Sequence, residues 1–372
     1  MKNIVHLTSV HPPYDVRIFQ KECTSLQRAG YAVTLVVAAE LDPQRKTPVK
    51  LVALPRPMGR RARMTTTAAA VFRTALKLRG DLYHFHDPEL IPVGLLLKLA
   101  GKRVVYDVHE ELPQDLLDKE WLPRPLRYVL AGAAYVVEGL AGLVFDGIVA
   151  SRPALLERFP RRKTALVNNF PVLGELQQPG ARPLRERPPI CAYVGGMSRE
   201  RGLIELVTAL GAMDEAVPLE LHIAGPIDPP ELLEEARRLP GWKRVRYLGW
   251  QSRPQVADLL NRARFGVVTF LPIANHLRSY PTKLFEYMSA GLPTLASDLP
   301  LWRELIDAAG VGRLADPSDA PAFARALEWM VTHPDECETM GRQGATLVRQ
   351  RYNWEAEAES LLGLYGRILN RS

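Results

Sequence analysis

The chain has 372 residues, is 47% hydrophobic and 24% charged, and carries a formal net charge of +7. This length suits two ordinary domains, and the apolar content is ample for packed cores, which excludes a disordered or fibrous chain. Cys23, Cys191 and Cys337 are too far apart for metal or redox spacing and read as reduced thiols.

The basic surplus is one-sided. Residues 1–180 hold 25 Lys and Arg against 17 Asp and Glu, whereas 181–372 hold 23 against 24. Part of it is the cluster Arg56, Arg60, Arg61 and Arg63, in a loop marked by Pro55, Pro57 and Gly59. Such a cluster suits an anionic membrane face or a phosphorylated acceptor, or is simply a solvated loop. No aromatic-interleaved basic stripe or nucleic-acid module is visible, so nucleic acid is not expected as a partner. Met1 leads straight into an expected strand, so no signal peptide is expected. The longest apolar run, 133–149, is interrupted by Glu138 and Asp146. The expected location is the cytoplasm, with a peripheral place on the inner face of the plasma membrane left open.

Residues 4–7 predict a short apolar strand. The loop after it, T-S-V-H-P-P-Y-D-V-R at 8–17, is not glycine-rich and so is no dinucleotide fingerprint. A helix is expected over 16–29, capped by Gly30, then a strand over 31–38. A helix at 65–79 precedes a strand at 82–85 that runs into His84, Phe85, His86, Asp87, Pro88 and Glu89. A leucine-rich helix at 88–100 leads to a strand at 103–106 that ends in Asp107, Val108, His109, Glu110 and Glu111. Two successive strands thus deliver acidic and histidine residues to one sheet edge, where ligands of parallel sheets bind. Metal is one reading of His84, His86, Asp87, Asp107 and His109. Side chains alternate along a strand, however, and no H-E-x-x-H spacing is present, so no metal is expected. A long helix follows at 123–143, then strands near 146–151 and 164–167. The polar, proline-rich stretch 174–189 reads as a linker.

The second half repeats the grammar. A strand at 190–194 meets G-G-M-S-R-E-R-G at 195–202 and a helix at 203–213. Paired glycines at a strand end let backbone approach a ligand closely, or simply make a tight turn. Strands are expected at 219–224, 245–248 and 265–271. The stretch S-Y-P-T-K-L-F-E-Y-M-S-A-G-L-P-T-L-A-S-D, 279–298, then reads as loop, helix from Pro281 to about 290, and strand. Lys283 is out of place in the first helical turn, where the dipole favours anions. It makes sense if a phosphate sits at that helix end. Glu286 shares its face, suited either to the hydroxyls of a ribose or sugar or to a surface ion pair with Lys283. A helix at 301–306, a strand at 311–314, helices across 318–351 and a last amphipathic helix at 354–369 complete the chain.

Four separated stretches, H-P-P-Y-D-V-R-I-F-Q-K-E, H-F-H-D-P-E-L, Y-D-V-H-E-E-L-P and 279–298, resemble family 4 glycosyltransferases of the GT-B fold. The resemblance implies an α/β protein of two Rossmann-like, doubly wound parallel-sheet domains facing across a cleft. It implies an acceptor domain at 1–173, joined by the final helix 354–372, and a donor domain at 190–353. The implied reaction is retaining sugar transfer from a UDP- or GDP-sugar to an acceptor hydroxyl, in bacterial polysaccharide or glycolipid synthesis, with no metal or other cofactor. Partners would be the nucleotide sugar, a glycan or lipid-linked acceptor, and an anionic membrane met by the basic first half.

Residue by residue, the resemblance implies catalytic roles for His109, Arg201 and Lys283. Donor binding falls to Gly195, Gly196, Arg201, Lys283, Glu286, Ser279 and Thr282, with Lys283 on the diphosphate and Glu286 on the ribose. His11, Asp15, Arg17, His86 and Asp87 become acceptor or cleft candidates, although a local Asp15–Arg17 salt bridge would serve equally well for that pair. Two departures stand out. Gly196 and Arg201 replace the arginine and lysine of the usual G-R-x-S-x-x-K-G. Arg278 stands where many members carry a sugar-recognising glutamate, eight residues before Glu286. A sugar-nucleotide epimerase would consume donor without a glycosylated product, and a non-catalytic nucleotide- or polyanion-binding protein would bind without turnover. An NAD enzyme is disfavoured, because neither half carries G-x-G-x-x-G after its first strand.

Overall fold

A computed structural model describes residues 1–109, 111–117, 119, 122–178, 180 and 182–370, without the side chain of Arg60. Glu110 of the acidic edge, Pro179 and Ala181 of the expected linker, and Arg371 and Ser372 of the last helix lie outside the described residues, as does the Arg60 side chain of the basic cluster. The chain forms two compact units, one of residues 1–169 and 354–372, the other of 170–353.

In the first unit the described residues form a seven-stranded parallel sheet: β1 Asn3–Thr8, β2 Ala32–Val37, β3 Lys50–Ala53, β4 Leu82–Phe85, β5 Val104–Val108, β6 Gly147–Ala150 and β7 Thr164–Leu166. Their order is β3-β2-β1-β4-β5-β6-β7. The inner strands are rich in Val, Ile, Leu and aromatics because helices cover both faces, with His6, His84 and Asp107 as buried polar exceptions. β1 holds the centre, with Ile4 opposite Val33 on one side and Leu82 on the other. Strand β3, absent from the sequence reading, is an edge strand with two exposed residues, and its pattern carries too little apolar signal to announce it.

The helix after β1 begins as a π-helical stretch, Val16–Cys23, and continues as Thr24–Arg28. Helix α1, Arg124–Val144, is the crossover between β5 and β6. The basic cluster expected in a loop is mostly helical: Arg56 precedes a helix that opens at Arg60–Ala62 and continues as Arg63–Thr67, and Arg63 Nε lies 2.7 Å from Glu89 Oε1.

Among the described residues of the second unit six strands, β8 Ile190–Val194, β9 Glu220–Ala224, β10 Val245–Gly249, β11 Phe265–Val268, β12 Thr294–Ser297 and β13 Gly312–Ala315, pair in the order β10-β9-β8-β11-β12-β13. Helix α2, Leu203–Ala212, follows β8, and helix α3, Thr282–Ser289, follows β11. The core is built on Trp302, Tyr193, Tyr287, Phe265 and Phe323, all fully buried. Two helices missed in the sequence, Pro230–Arg237 and Arg253–Arg262, also lie here. The second opens on a capping box between Ser252 and Gln255, a signal that S-R-P-Q does carry.

The proline-rich stretch 174–189 is not a loose tether. Leu176 and Leu184 are buried in the second unit, and Arg187 donates to the carbonyls of Leu260 and Ala263. Its composition suggested a linker; two leucines and one arginine with core partners decide otherwise. The last helix, α4 Trp354–Leu369, packs on the first unit, where Tyr365 Oη lies 2.7 Å from His84 Nδ1 and Trp354 Nε1 donates to Ser25 Oγ.

Both sheets reverse strand order between their first and fourth strands. Side chains at the carboxyl ends of β1 and β4, and of β8 and β11, therefore converge at the two switch points.

Candidate functional site

On the second unit the switch point gathers Gly195, Gly196, Arg201 and Lys283. Pro281 is the N-cap of α3, in extended conformation, so its ring costs the helix no hydrogen bond. Lys283 is the second helical residue, inside the first turn, and is only 7% exposed. Its Nζ sits 3.4 Å from the centre of the Tyr193 ring and 5.2 Å from that of Phe270. Among the described residues it has no hydrogen-bond partner. Burial, helped by nearby Arg201, pulls its pKa well below that of an ordinary lysine. A buried ammonium resting on aromatic faces alone is costly, and an anion is what would relieve it.

Gly195 has φ +100°, a conformation open to glycine and strained for any side chain. Arg201 Nη1 donates to the Gly196 carbonyl at 2.7 Å, which holds this exposed guanidinium beside the glycine turn. The two cations and the glycine backbone thus border one small region. Thr282 is exposed at the first helical position. Ser279 serves the turn itself: its Oγ donates to the Asn275 carbonyl and its own carbonyl accepts from Trp302 Nε1.

Glu286 does not pair with Lys283 by hydrogen bond. Its Oε1 accepts from Arg253 Nη1 at 2.7 Å, while Nε and Nη2 of Arg253 hold Glu175 bidentately at 2.8 Å each. The simple surface pair foreseen between positions 283 and 286 is therefore replaced by a Glu175–Arg253–Glu286 bridge.

On the first unit two buried carboxylates organise the switch point. Asp87 accepts from Thr8 Oγ1, the Ser9 amide and Ser9 Oγ, and its Oδ1 lies 2.9 Å from His11 Nδ1. Burial would raise the Asp87 carboxyl, but His11 and these donors outweigh it and hold it well below the usual range. His11, despite partial burial, is raised in turn by the hydrogen bond and charge of Asp87.

Asp107 is the second centre. It binds Nε and Nη2 of Arg17 at 3.0 and 2.8 Å, His86 Nδ1 at 3.1 Å and His109 Nε2 at 2.8 Å. Burial alone would raise its carboxyl, yet Arg17 and His109 keep it ionised well below the ordinary value. His86 continues inward to His6, whose Nδ1 is 2.9 Å from His86 Nε2. Burial holds His6, His84 and His86 neutral, while burial and the Asp107 charge push neighbouring Glu22 up toward its protonated form.

The structure thus joins His86, Arg17 and His109 around Asp107, and His11 and Asp87 beside them, with the His11 and His109 rings 5.1 Å apart. Arg17 is turned inward, also donating to the Val167 carbonyl. Asp15 is separate from this network: Oδ1 accepts from the amides of Arg17 and Ile18 and caps the helix. The Asp15–Arg17 salt bridge considered from the sequence gives way to Arg17–Asp107, because a buried guanidinium is better served by a bidentate carboxylate. Sequence reasoning missed Asp107 as the hub, Tyr193 as the platform under Lys283, and Arg253. Tyr193 was findable as the aromatic two residues before Gly195; Arg253 carries no local sign.

Among the described residues two groups have ligand atoms within 4.8 Å of one another: His6, Glu22, His84 and His86, and His86, Asp107 and His109. In the first, Arg17 stands 3.1 Å from Glu22 and opposes a dication. In both, ring nitrogens are engaged in hydrogen bonds with one another, with Tyr365 or with Asp107.

Comparison with known proteins agrees with this geometry. The model of the Glycosyl transferases group 1 matches residues 188–333, and that of the Glycosyl transferase 4-like domain matches 17–167. The D-rhamnosyltransferase WbpZ of Pseudomonas aeruginosa is 30% identical over 305 residues, covering 77% of this chain and 74% of that protein. A phosphatidyl-myo-inositol mannosyltransferase of Mycobacterium leprae is 32% identical over 171 residues, 45% of this chain and 43% of that one. Among solved structures, sucrose-phosphate synthase from Thermosynechococcus elongatus superposes with TM-score 0.76 at 20% identity, covering 100% of both chains. Anabaena HepE in complex with UDP and glucose gives 0.74 at 15% identity, covering 99% of this chain and 100% of that one. Identities this low speak for the fold alone. The family matches and the rhamnosyltransferase relative, together with the two parallel-sheet units, make the chain a member of the group 1 glycosyl transferases, with the GT-B fold.

Proposed function

We propose that this glycosyltransferase moves a sugar from a UDP- or GDP-sugar to an acceptor hydroxyl with retention of configuration, in the synthesis of a bacterial polysaccharide or glycolipid. The observation that carries the reading is the buried Lys283 ammonium on the Tyr193 ring with no hydrogen-bond partner among the described residues. In the reaction the bond from the anomeric carbon to the diphosphate oxygen breaks, and its electron pair leaves with the diphosphate. A new bond forms to the acceptor oxygen, whose proton passes to the departing phosphate. Charge therefore grows on the diphosphate, where Lys283, Arg201 and the amides opening α3 stabilise it without help from a divalent ion. Glu286 takes ribose hydroxyls while Arg253 holds it in place. His109 hydrogen-bonds a hydroxyl of the transferred sugar.

The relatives support the donor class. WbpZ is by name a rhamnosyltransferase, the Mycobacterium leprae protein a mannosyltransferase, and HepE was solved with UDP. Arg278, in the place of a glutamate common in such proteins, points to an altered contact with the sugar.

The test is a thermal-shift panel of nucleotide sugars, followed by product analysis with the best binder. A ligand at a hundred times its Kd stabilises by about 2.7 kcal/mol. One donor class should raise Tm in the native chain and not in Lys283→Ala, and turnover in that variant should fall about a hundredfold or more. A panel without any shift, or an equal shift and equal turnover in Lys283→Ala, overturns the reading.

A further inference from the structure

Helix α1 is apolar on the wrong side for a crossover helix. Such helices usually bury an apolar stripe and show polar residues outward. Here the buried positions are Ala131, Glu138, Ala141 and Gly142, a narrow strip with one charged member. Outside stand Val129 at 66% exposure, Leu140 at 59% and Leu143 at 62%, along with Tyr128, Tyr135 and Val136. Counted at about 100° per residue, the exposed apolar side chains sweep roughly 220° of the circumference. From Tyr128 to Val144 the helix has one charged residue, Glu138, and it is buried.

The ends of this ridge are cationic. Arg124 and Arg127 open it, and Arg161, Arg162 and Lys163 lie against its far end, where Lys163 Nζ donates to the carbonyls of Leu143 and Phe145. Residues 122–163 contain seven basic and three acidic side chains. Of the acids, Glu138 is bound to Arg158 and Tyr106, and Asp146 to Lys98. We propose that the outer face of α1 docks the first unit on an anionic phospholipid bilayer, lying in the interface with its ridge among the acyl chains and its basic ends on the headgroups.

The geometry excludes a spanning role. The strands joined by α1 are neighbours in one sheet, with Val105 opposite Gly147, so both helix ends return to the same layer. Close packing fixes the inner face: a Cβ at Gly142 would lie 2.6 Å from the Phe159 ring. Tyr128 and Tyr135 suit the headgroup level, apolar in body and polar at the tip. A second copy of the chain fits less well. A helix pair covers only part of so wide an arc. The sequence placed membrane attraction in the cluster of Arg56, Arg60, Arg61 and Arg63; the ridge supplies the apolar contact that this cluster lacks. The proposal concerns one surface and stands whichever sugar is transferred.

The test is co-sedimentation of the full chain with vesicles of phosphatidylglycerol and phosphatidylethanolamine, against phosphatidylcholine alone, with CD and Tm as checks of folding. The native protein should bind the anionic vesicles, less so at high salt. Val136→Glu with Leu140→Glu, or Val129→Glu with Leu143→Glu, should weaken binding by about tenfold or more. Arg161→Glu with Arg162→Glu should weaken it on anionic vesicles only. Absence of native binding, or unchanged binding by both folded ridge variants, overturns the proposal. So does a dimer that the ridge variants dissolve in a protein that ignores vesicles. Because nucleotide binding is measured separately, failure here leaves the donor reading untouched.

Discussion

His109 Nε2 lies 2.8 Å from Oδ2 of Asp107, the carboxylate that Arg17 grips with two nitrogens. An ionised Asp107 can only accept, so the hydrogen-bond network assigns the His109 proton to Nε2. Nδ1 is then the ring nitrogen left for the sugar hydroxyl in the proposed reaction. Asp107 is fully buried, whereas the His109 side chain is a fifth exposed, which suits the catalytic role proposed for it.

This division is measurable. Asp107→Ala leaves Arg17 buried without its main counter-ion and should cost about 3–5 kcal/mol in urea denaturation. His109→Ala should cost about 1 kcal/mol or less and lower turnover by about a hundredfold. Equal stability losses in the two variants would refute the assignment.

Lys283 predicts proton uptake on nucleotide binding. Its pKa is depressed in the free protein by burial and by Arg201, and a diphosphate beside it restores the charged form. Affinity for UDP or GDP should therefore fall as pH rises above the depressed value. Calorimetry in buffers of different ionisation enthalpy should show uptake, and Lys283→Met should abolish it. Lys283→Met should also leave the unliganded protein as stable or more so, since it removes a buried charge. Binding enthalpies that are the same in every buffer would contradict this.

The His11–Asp87 pair predicts a pH window for the first unit. His11 is raised when folded, so its contribution is complete below the unfolded value of about 6.5 and is lost as pH rises through the folded one. Asp87 is depressed, so its contribution is present above the unfolded value of about 3.9 and is lost as pH falls through the folded one. The pair stabilises most between roughly pH 4 and 6.5. Tm measured against pH should show this window in the native chain and lose its alkaline limb in His11→Asn, where Thr8 and Ser9 still hold Asp87.

Much of the molecule was written locally. The alternating strands and helices, the paired glycines at 195–196, the out-of-place Lys283 and the histidines and acids after β4 and β5 all follow from short-range patterns. Hydrophobic runs and turn residues act through neighbours a few positions away, so sequence alone determined the α/β class and most elements. Strand β3 escaped because an exposed edge has little apolar signal, and the stretch 174–189 because its composition hides two buried leucines.

Tertiary structure decided the partners. Arg17 left Asp15 for Asp107, 90 positions on; Glu286 chose Arg253 over Lys283; Tyr193 came to lie beneath the ammonium. It also turned the apolar face of α1 outward, a matter on which the expectation of a long helix at 123–143 was silent. Ion pairing, desolvation and exposure depend on which surfaces meet in space, and no local pattern encodes that meeting.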